Sequence, residues 1–213
     1  SELGELVDET MVQQFPDIFD VTFTTQMEDE LERIEGGEVT WQDVMQEFAD
    51  SNILALEHLK STVKKADLDK SLELLRAASS VYIVGLRRSF PVAAYLAYAL
   101  RHVDKRAYLL DGVAGMLGEQ STMLTSKDLL IATSFAPYAP ETVEIVTAAK
   151  RQKTRIIAIT DSRLSPIASP SDVVFEIKDA EVRQFRSLTA SLCLAQTLVI
   201  SYAFGSDSKT RGR

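Results

Sequence analysis

From residue 81 onward, short apolar runs alternate with longer amphipathic ones. The short runs are Val81–Val84, Ala107–Leu110, Leu129–Ala132, Arg155–Ile159 and Val173–Ile177. Each holds four or five residues rich in Val, Ile or Leu, the pattern of strands buried on both faces. Helical spacing fills the intervals near residues 89–102, 113–122 and 140–152, where Met116, Met123 and the aromatics read as core. Strand alternating with helix predicts an α/β fold, a parallel sheet covered by helices on both sides. A last helix is expected from about Phe185 to Phe204. It is too apolar for exposure all round, so it should pack in the core or across a dimer interface. The polar tail Gly205–Arg213 is expected to be disordered.

Before residue 81 the pattern is helical throughout. Residues 2–14 read as a short helix that stops near Phe15-Pro16, because the residue before proline avoids the α region. Thr25 with Glu28 forms a capping-box pattern for a helix to about Glu35, ended by Gly36-Gly37. Thr40 with Asp43 opens another. Trp41, Val44, Met45 and Phe48 share its face, and the periodicity continues through Ile53, Leu54, Leu56 and Leu59. One long helix over positions 40–62 is predicted, with neither proline nor glycine to break it, and Leu68–Ala78 follows as a further helix.

Charge divides the chain where periodicity does not. Residues 1–48 carry 14 acidic side chains and one basic, while the remainder carry 17 acidic and 22 basic. So abrupt a change suggests two units of different origin, and the acidic unit is poorly suited to touching phosphates. The 213 residues, 46% hydrophobic and 25% charged, suffice for one or two ordinary globular domains. No apolar run approaches the ~20 residues needed to cross a bilayer. Ser1 is not methionine and no signal peptide follows, so the chain start is expected to be a trimmed boundary. The one cysteine, Cys193, has no internal partner, which fits a reducing cytoplasm. Two histidines and that cysteine are too scattered for a zinc site, and neither a metal nor a cofactor is expected.

The candidate chemistry lies after the strands. Val81–Val84 runs into Gly85, then Arg87, Arg88 and Ser89, then a helix with Pro91 near its start. That order places an anion-friendly helix end at the carboxyl edge of a buried strand. The loops at 133–142 and 160–166 leave the same edge and can converge with it. Hydroxyls of Ser89, Ser134, Tyr138 and Ser162 suit a polyol or phosphate, and Arg87 or Arg88 suits an anion. Ser89 equally suits an N-cap and Ser134 a turn. Thr160-Asp161 reads as a helix-entry turn rather than a catalytic acid. Glu141 and Glu144 fit the first turns of a helix, and His58 and His102 have no evident partner, so no catalytic residue is expected.

Several segments then carry a family likeness: Ser51–Glu57, Val81–Gly85, Ser134–Thr142, Ile159–Ser162 with Ser165-Pro166, and Phe185–Ser187. From about residue 50 to 204 the chain resembles the sugar isomerase (SIS) domain of RpiR-type bacterial transcription regulators. The resemblance implies a five-stranded parallel sheet flanked by helices, a homodimer, and a sugar-phosphate effector sensed without chemistry. The candidate ligand set is Gly85, Arg87, Arg88, Ser89, Ser134, Tyr138, Thr142 and Ser162. Related SIS enzymes isomerise sugar phosphates. The family's first loop usually reads Gly-x-Gly-x-Ser, and Arg87 stands here for its second glycine. Its second loop usually reads Ser-x-Ser-Gly-x-Thr, and Ala136, Pro137 and Ala139 replace the later serine, the glycine and the threonine. Pro137 also lacks an N–H. An anionic sugar whose charge meets Arg87 is therefore expected.

The first 48 residues instead resemble a helical fragment of bacterial type IA DNA topoisomerase, through Leu3–Leu6, Phe15–Asp20, Phe23-Thr24, Met27–Leu31 and Trp41–Phe48. That likeness includes neither the enzyme's catalytic tyrosine region nor its acidic metal-binding domain, so no topoisomerase activity follows. The expected organisation is an acidic helical segment (1–49), the SIS domain (50–204) and a tail (205–213), a chimera joined through one helix by design or recombination. The expected function is a cytoplasmic, effector-binding domain that lacks its helix-turn-helix and contacts neither nucleic acid nor membrane. The alternatives are a sugar-phosphate aldose-ketose isomerase and a scaffold with no selected activity.

Overall fold

The computed structural model describes residues 32–33, 36–37, 39–183 and 185–210. The helix expected over 2–14, the Thr25–Glu28 capping box and most of the topoisomerase-like run lie outside them. The described residues divide into two compact units, one of residues up to Ser51 with Glu181–Phe185, the other of Asn52–Ala180 with Arg186 onward.

In the first unit, Glu32 and Arg33 are helical and the chain turns at Gly36-Gly37. The N–H of Gly36 donates to the Glu32 carbonyl at 2.8 Å, and Gly37 takes the left-handed φ of +76° that ends helices. Thr40 and Asp43 then cap helix α1 (Trp41–Thr62) reciprocally. The Thr40 N–H donates to Asp43 at 2.8 Å and the Asp43 N–H to the Thr40 hydroxyl at 3.2 Å. These Thr40 bonds hold the Asp43 carboxyl below its ordinary range. Arg183 grips Glu47 with two hydrogen bonds of 2.8 Å. Helix α1 runs unbroken past the charge seam, as its periodicity predicts.

The second unit is a five-stranded parallel sheet in the order β2-β1-β3-β4-β5. Its strands are β1 (Val81–Val84), β2 (Ala107–Leu109), β3 (Leu129–Thr133), β4 (Arg155–Thr160) and β5 (Val173–Glu176). The helices between and around them are α2 (Lys65–Ala77), α3 (Phe90–His102), α4 (Leu117–Thr122), α5 (Pro140–Arg151) and α6 (Thr189–Thr210). The alternating side chains of each strand serve two cores. Val81, Ile83, Leu129, Ile131, Ile157 and Ile159 face α1, α2, α3 and α6. Tyr82, Val84, Leu130, Ala132 and Ile156 face α5, Leu124 and Ile167. Each fully buried Leu or Ile contributes about 1.5–3 kcal/mol, so both faces hold the sheet.

Several expectations need correction, among them that Met116 and Met123 are core, since they are 51% and 61% exposed. The helix predicted over 113–122 starts only at Leu117, because Gly112, Ala114 and Gly115 have positive φ and break its first turn. The last helix starts at Thr189, since Phe185-Arg186 forms strand β7 against β6 (Glu181–Val182). It also runs on to Thr210, where a disordered tail was expected from Gly205. Gly205 does not end it. Arg76 lies so close that a Cβ there would meet its guanidinium at 1.9 Å, so this glycine serves packing. Among the described residues no helix is long and apolar enough to cross a membrane.

Candidate functional site

The sheet order reverses between β1 and β3, one strand leading outward to β2 and the other to β4. A switch point of this kind, at the carboxyl edge of the strands, is where open α/β sheets hold their ligands.

The first loop owes its shape to two residues. Gly85 lies against α3, where a Cβ would come 2.9 Å from the Ser89 carbonyl oxygen and 3.0 Å from the Ala93 Cβ. Only glycine lets strand and helix meet there. Arg87 then adopts φ +53° and begins a single 3₁₀ turn, Arg87–Ser89, closed by the Ser89 N–H on the Leu86 carbonyl at 3.0 Å. The left-handed backbone explains why glycine suits this position and why arginine is strained in it. Arg87 and Arg88 are exposed, while Ser89 is buried. Ser89 stands at the N-cap of α3, yet its hydroxyl makes no cap hydrogen bond.

The second loop follows Thr133. The Ser134 N–H donates to the Ile159 carbonyl at 3.1 Å, and the next peptides are tied to Asp161 from the third loop. Its carboxylate accepts the Ala136 N–H at 3.0 Å and the Tyr138 hydroxyl at 2.9 Å. Burial pushes the Asp161 carboxyl up, but those bonds and the nearby Arg186 outweigh it, and the net shift is downward. Burial and the bond to Asp161 raise the Tyr138 hydroxyl correspondingly. The bond between Ala136 and Pro137 is cis.

Arg186 completes this arrangement. Its guanidinium lies 4.7 Å from the centre of the Phe135 ring and 3.7 Å from the Asp161 carboxylate, and its Nη1 is sealed without an acceptor. Beyond it, Asp179 caps α6 by accepting the N–H groups of Ala190 and Ser191 at 2.9 and 3.1 Å, together with the Ser191 hydroxyl. Burial outweighs these bonds and raises the Asp179 carboxyl. The Thr189 N–H goes to the Ser187 hydroxyl at 3.1 Å, so the α6 N-terminus is already served by protein groups.

The sequence-based candidates divide accordingly. Gly85, Arg87, Arg88 and Ser89 share one loop, and Ser134 and Tyr138 lie on the loop of the neighbouring strand. Among the described residues, no hydrogen bond engages the side-chain hydroxyls of Ser89 or Ser134. Tyr138 is engaged with Asp161. The Ser162 hydroxyl accepts the Leu164 N–H at 3.1 Å inside its own turn. Thr142 is fully buried in the first turn of α5, its hydroxyl sealed. Glu141 and Glu144 are exposed. His102 ends α3 against Tyr98, at the opposite edge of the sheet. His58 lines a separate cleft of about 380 Å³ with Asp67, Arg163 and Glu176. Sequence reasoning missed Asp161 and Arg186 as organisers of the site. The available signal was a carboxylate directly after a strand, at Thr160-Asp161, and an arginine just ahead of the last helix.

The SIS domain family matches residues 74–201, a span that takes in every strand of this sheet, and the chain belongs to that family. An uncharacterized protein of Archaeoglobus fulgidus is 29% identical over 126 residues, 57% of this chain and 65% of that protein. The match thus spans just under two thirds of that relative's length. Among solved structures, the sugar isomerase domain of an RpiR transcription factor from Sphaerobacter thermophilus superposes with a TM-score of 0.73. It is 24% identical and covers 78% of this chain and 93% of its own. The Vibrio vulnificus NanR protein, complexed with ManNAc-6P, gives a TM-score of 0.71 at 21% identity, over 79% of this chain and 65% of its own.

Proposed function

We propose that this SIS domain binds a small anionic sugar derivative, a sugar phosphate or sugar acid, and acts as a sensor without chemistry of its own. The observation that carries it is the exposed Arg87, held at φ +53° beside the uncommitted hydroxyl of Ser89, across the switch point from that of Ser134. One cation and two hydroxyls on adjacent strands suit a ligand with one charged end and a polyol body. The fold shared with an RpiR domain and with NanR, whose structure holds ManNAc-6P, supports the same ligand class. In this reading the chain is the effector-binding part of a transcription regulator, cytoplasmic and homodimeric. The imidazoles lie away from the switch-point loops and the α5 glutamates are exposed, which favours sensing over catalysis.

Calorimetry of the wild type and Arg87→Ala with a panel of sugar phosphates and sugar acids tests this. Binding in the wild type that weakens in the variant is expected. Equal affinity in the two sinks the role of Arg87, and turnover of an aldose phosphate by the wild type overturns the sensor assignment. Light scattering of the full chain tests the dimer. The charge seam and the unbroken α1 support a fusion of two fragments; residues 50–213 alone are then expected to melt cooperatively, and failure to fold counts against a joint at that point.

A further inference from the structure

The loop at the switch point that leads into α5 is where an open α/β sheet would offer backbone N–H groups to an anion. Several of its donors are already spent or missing. Over Ser134–Ala139, the Ser134 N–H is spent on Ile159, the Ala136 N–H is spent on Asp161, and Pro137 has none. Tyr138, the ring hydroxyl of the same loop, donates to Asp161 as well. Pro140 removes a further N–H at the start of α5, and the Thr142 and Val143 N–H groups turn back to the Ala139 carbonyl at 3.0 and 3.2 Å. A carboxylate thus already holds one peptide N–H and the phenol hydroxyl of this loop.

We propose that Asp161 is a specificity-determining residue, an internal carboxylate that takes the Ala136 N–H and the Tyr138 hydroxyl of the second loop and turns phosphate away from it. Its charge is only partly offset. Arg186 approaches one oxygen at 3.7 Å, but the same guanidinium also acts on Asp179, so two carboxylates share one cation. A dianion placed against this loop would lose the Ala136 donor and meet a like charge at close range. The charged end of the ligand is consequently confined to the first loop, and the second loop receives an uncharged end. This deepens the assignment of the site given above and rests on it for the position of the ligand.

The test is Asp161→Asn in the full chain, with inorganic phosphate, a hexose 6-phosphate and the parent neutral hexose as probes. Asparagine keeps an acceptor for Ala136 and removes the charge. Tyr138→Phe keeps the charge and removes one bond, which isolates loosening of the loop. The expected result is a gain of roughly tenfold or more in affinity for phosphate and the hexose phosphate with Asp161→Asn, no change for the neutral hexose, and no gain with Tyr138→Phe. Unchanged or weaker phosphate binding in Asp161→Asn overturns the proposal, as does an equal gain with Tyr138→Phe. Asp161→Ser, also an uncharged acceptor, gives the same comparison should the asparagine chain not fold. Failure of the Arg87 assignment appears separately, as unchanged anion binding in Arg87→Ala.

Discussion

Replacing Arg87 by glycine should raise stability and weaken anion recognition together, because the two properties of this residue oppose each other. Arg87 holds φ +53°, in the left-handed region. That conformation costs a residue with a Cβ about 1–2 kcal/mol. Glycine removes this cost but adds freedom to the unfolded chain, worth ~0.5–1 kcal/mol in the other direction. The exposed guanidinium makes no hydrogen bond or ion pair among the described residues, so little packing is lost. The net gain is about 0.5–1 kcal/mol, or about 1–4 °C in Tm for a domain of this size. Binding moves the other way. A charge-assisted hydrogen bond contributes about 1.5–3 kcal/mol, so Kd for a hexose 6-phosphate should rise roughly ten- to 150-fold. Scanning calorimetry and titration calorimetry on the same samples read both effects. Arg87→Ala keeps the backbone strain and loses the cation, so it should lose binding without the gain in Tm. An Arg87→Gly protein that melts below the wild type would refute the strain argument. One that melts higher yet binds as tightly would refute the role of the charge.

Other substitutions probe the scaffold. Gly85→Ala drives a methyl against the Ser89 carbonyl and the Ala93 Cβ, so thermal unfolding should show a loss of ~1–3 kcal/mol. Lys105→Met leaves the Ala78 carbonyl without its 2.6 Å donor and removes the cation lying 5.7 Å from the centre of the Tyr202 ring; denaturant unfolding should register a loss of about 1–2 kcal/mol. Acid titration of stability should separate two carboxylates. The Asp161 carboxyl lies below 3.8 in the fold, so its contribution is present above that pH and is lost as pH falls through the folded value. The Asp179 carboxyl lies above 3.8, so its contribution is present below that pH and is lost as pH rises through the folded value. Asp161→Asn should flatten the first slope and Asp179→Asn the second; equal slopes in variant and wild type would contradict the assignment.

The parallel sheet was readable from sequence because its strands are short, doubly buried and β-branched, and period alone separates them from the helices. All five strands appear within a residue or two of their expected ends. The 113–122 segment was not readable. Its apolar spacing is helical, but the chain leaves the helical region at Gly112, Ala114 and Gly115, and a non-glycine residue at positive φ carries no periodic signal. At the candidate site, the placement of Gly85, Arg87 and Ser89 on one loop was legible because strand, glycine and helix follow one another directly. Arg186 and Asp161 were not, since they meet only when the third loop and the chain ahead of α6 are brought together across 25 residues of sequence. Thr142 illustrates the converse error of spacing. It falls in register with a hydroxyl-rich loop, yet the first turn of α5 rotates it into the interior.

Two charges at this switch point make physical sense only together. A guanidinium on the first loop adds positive charge at a position that strains the backbone, and a carboxylate on the third loop takes one N–H and one hydroxyl of the second. Either alone would shift affinity for every anion in one direction. Side by side they set a gradient across adjacent strands, which lie ~4.8 Å apart. A hexose spans that distance, so orientation becomes the discriminated quantity. A ligand with one anionic terminus fits with that end at Arg87 and its hydroxyls toward Ser134 and Asp161. A ligand charged at both ends meets the carboxylate whichever way it enters, and a neutral sugar gains nothing from the arginine. Sugar monophosphates and sugar acids should therefore outrank bisphosphates and free sugars in any binding panel, and a bisphosphate that outranks its monophosphate would be incompatible with this charge arrangement.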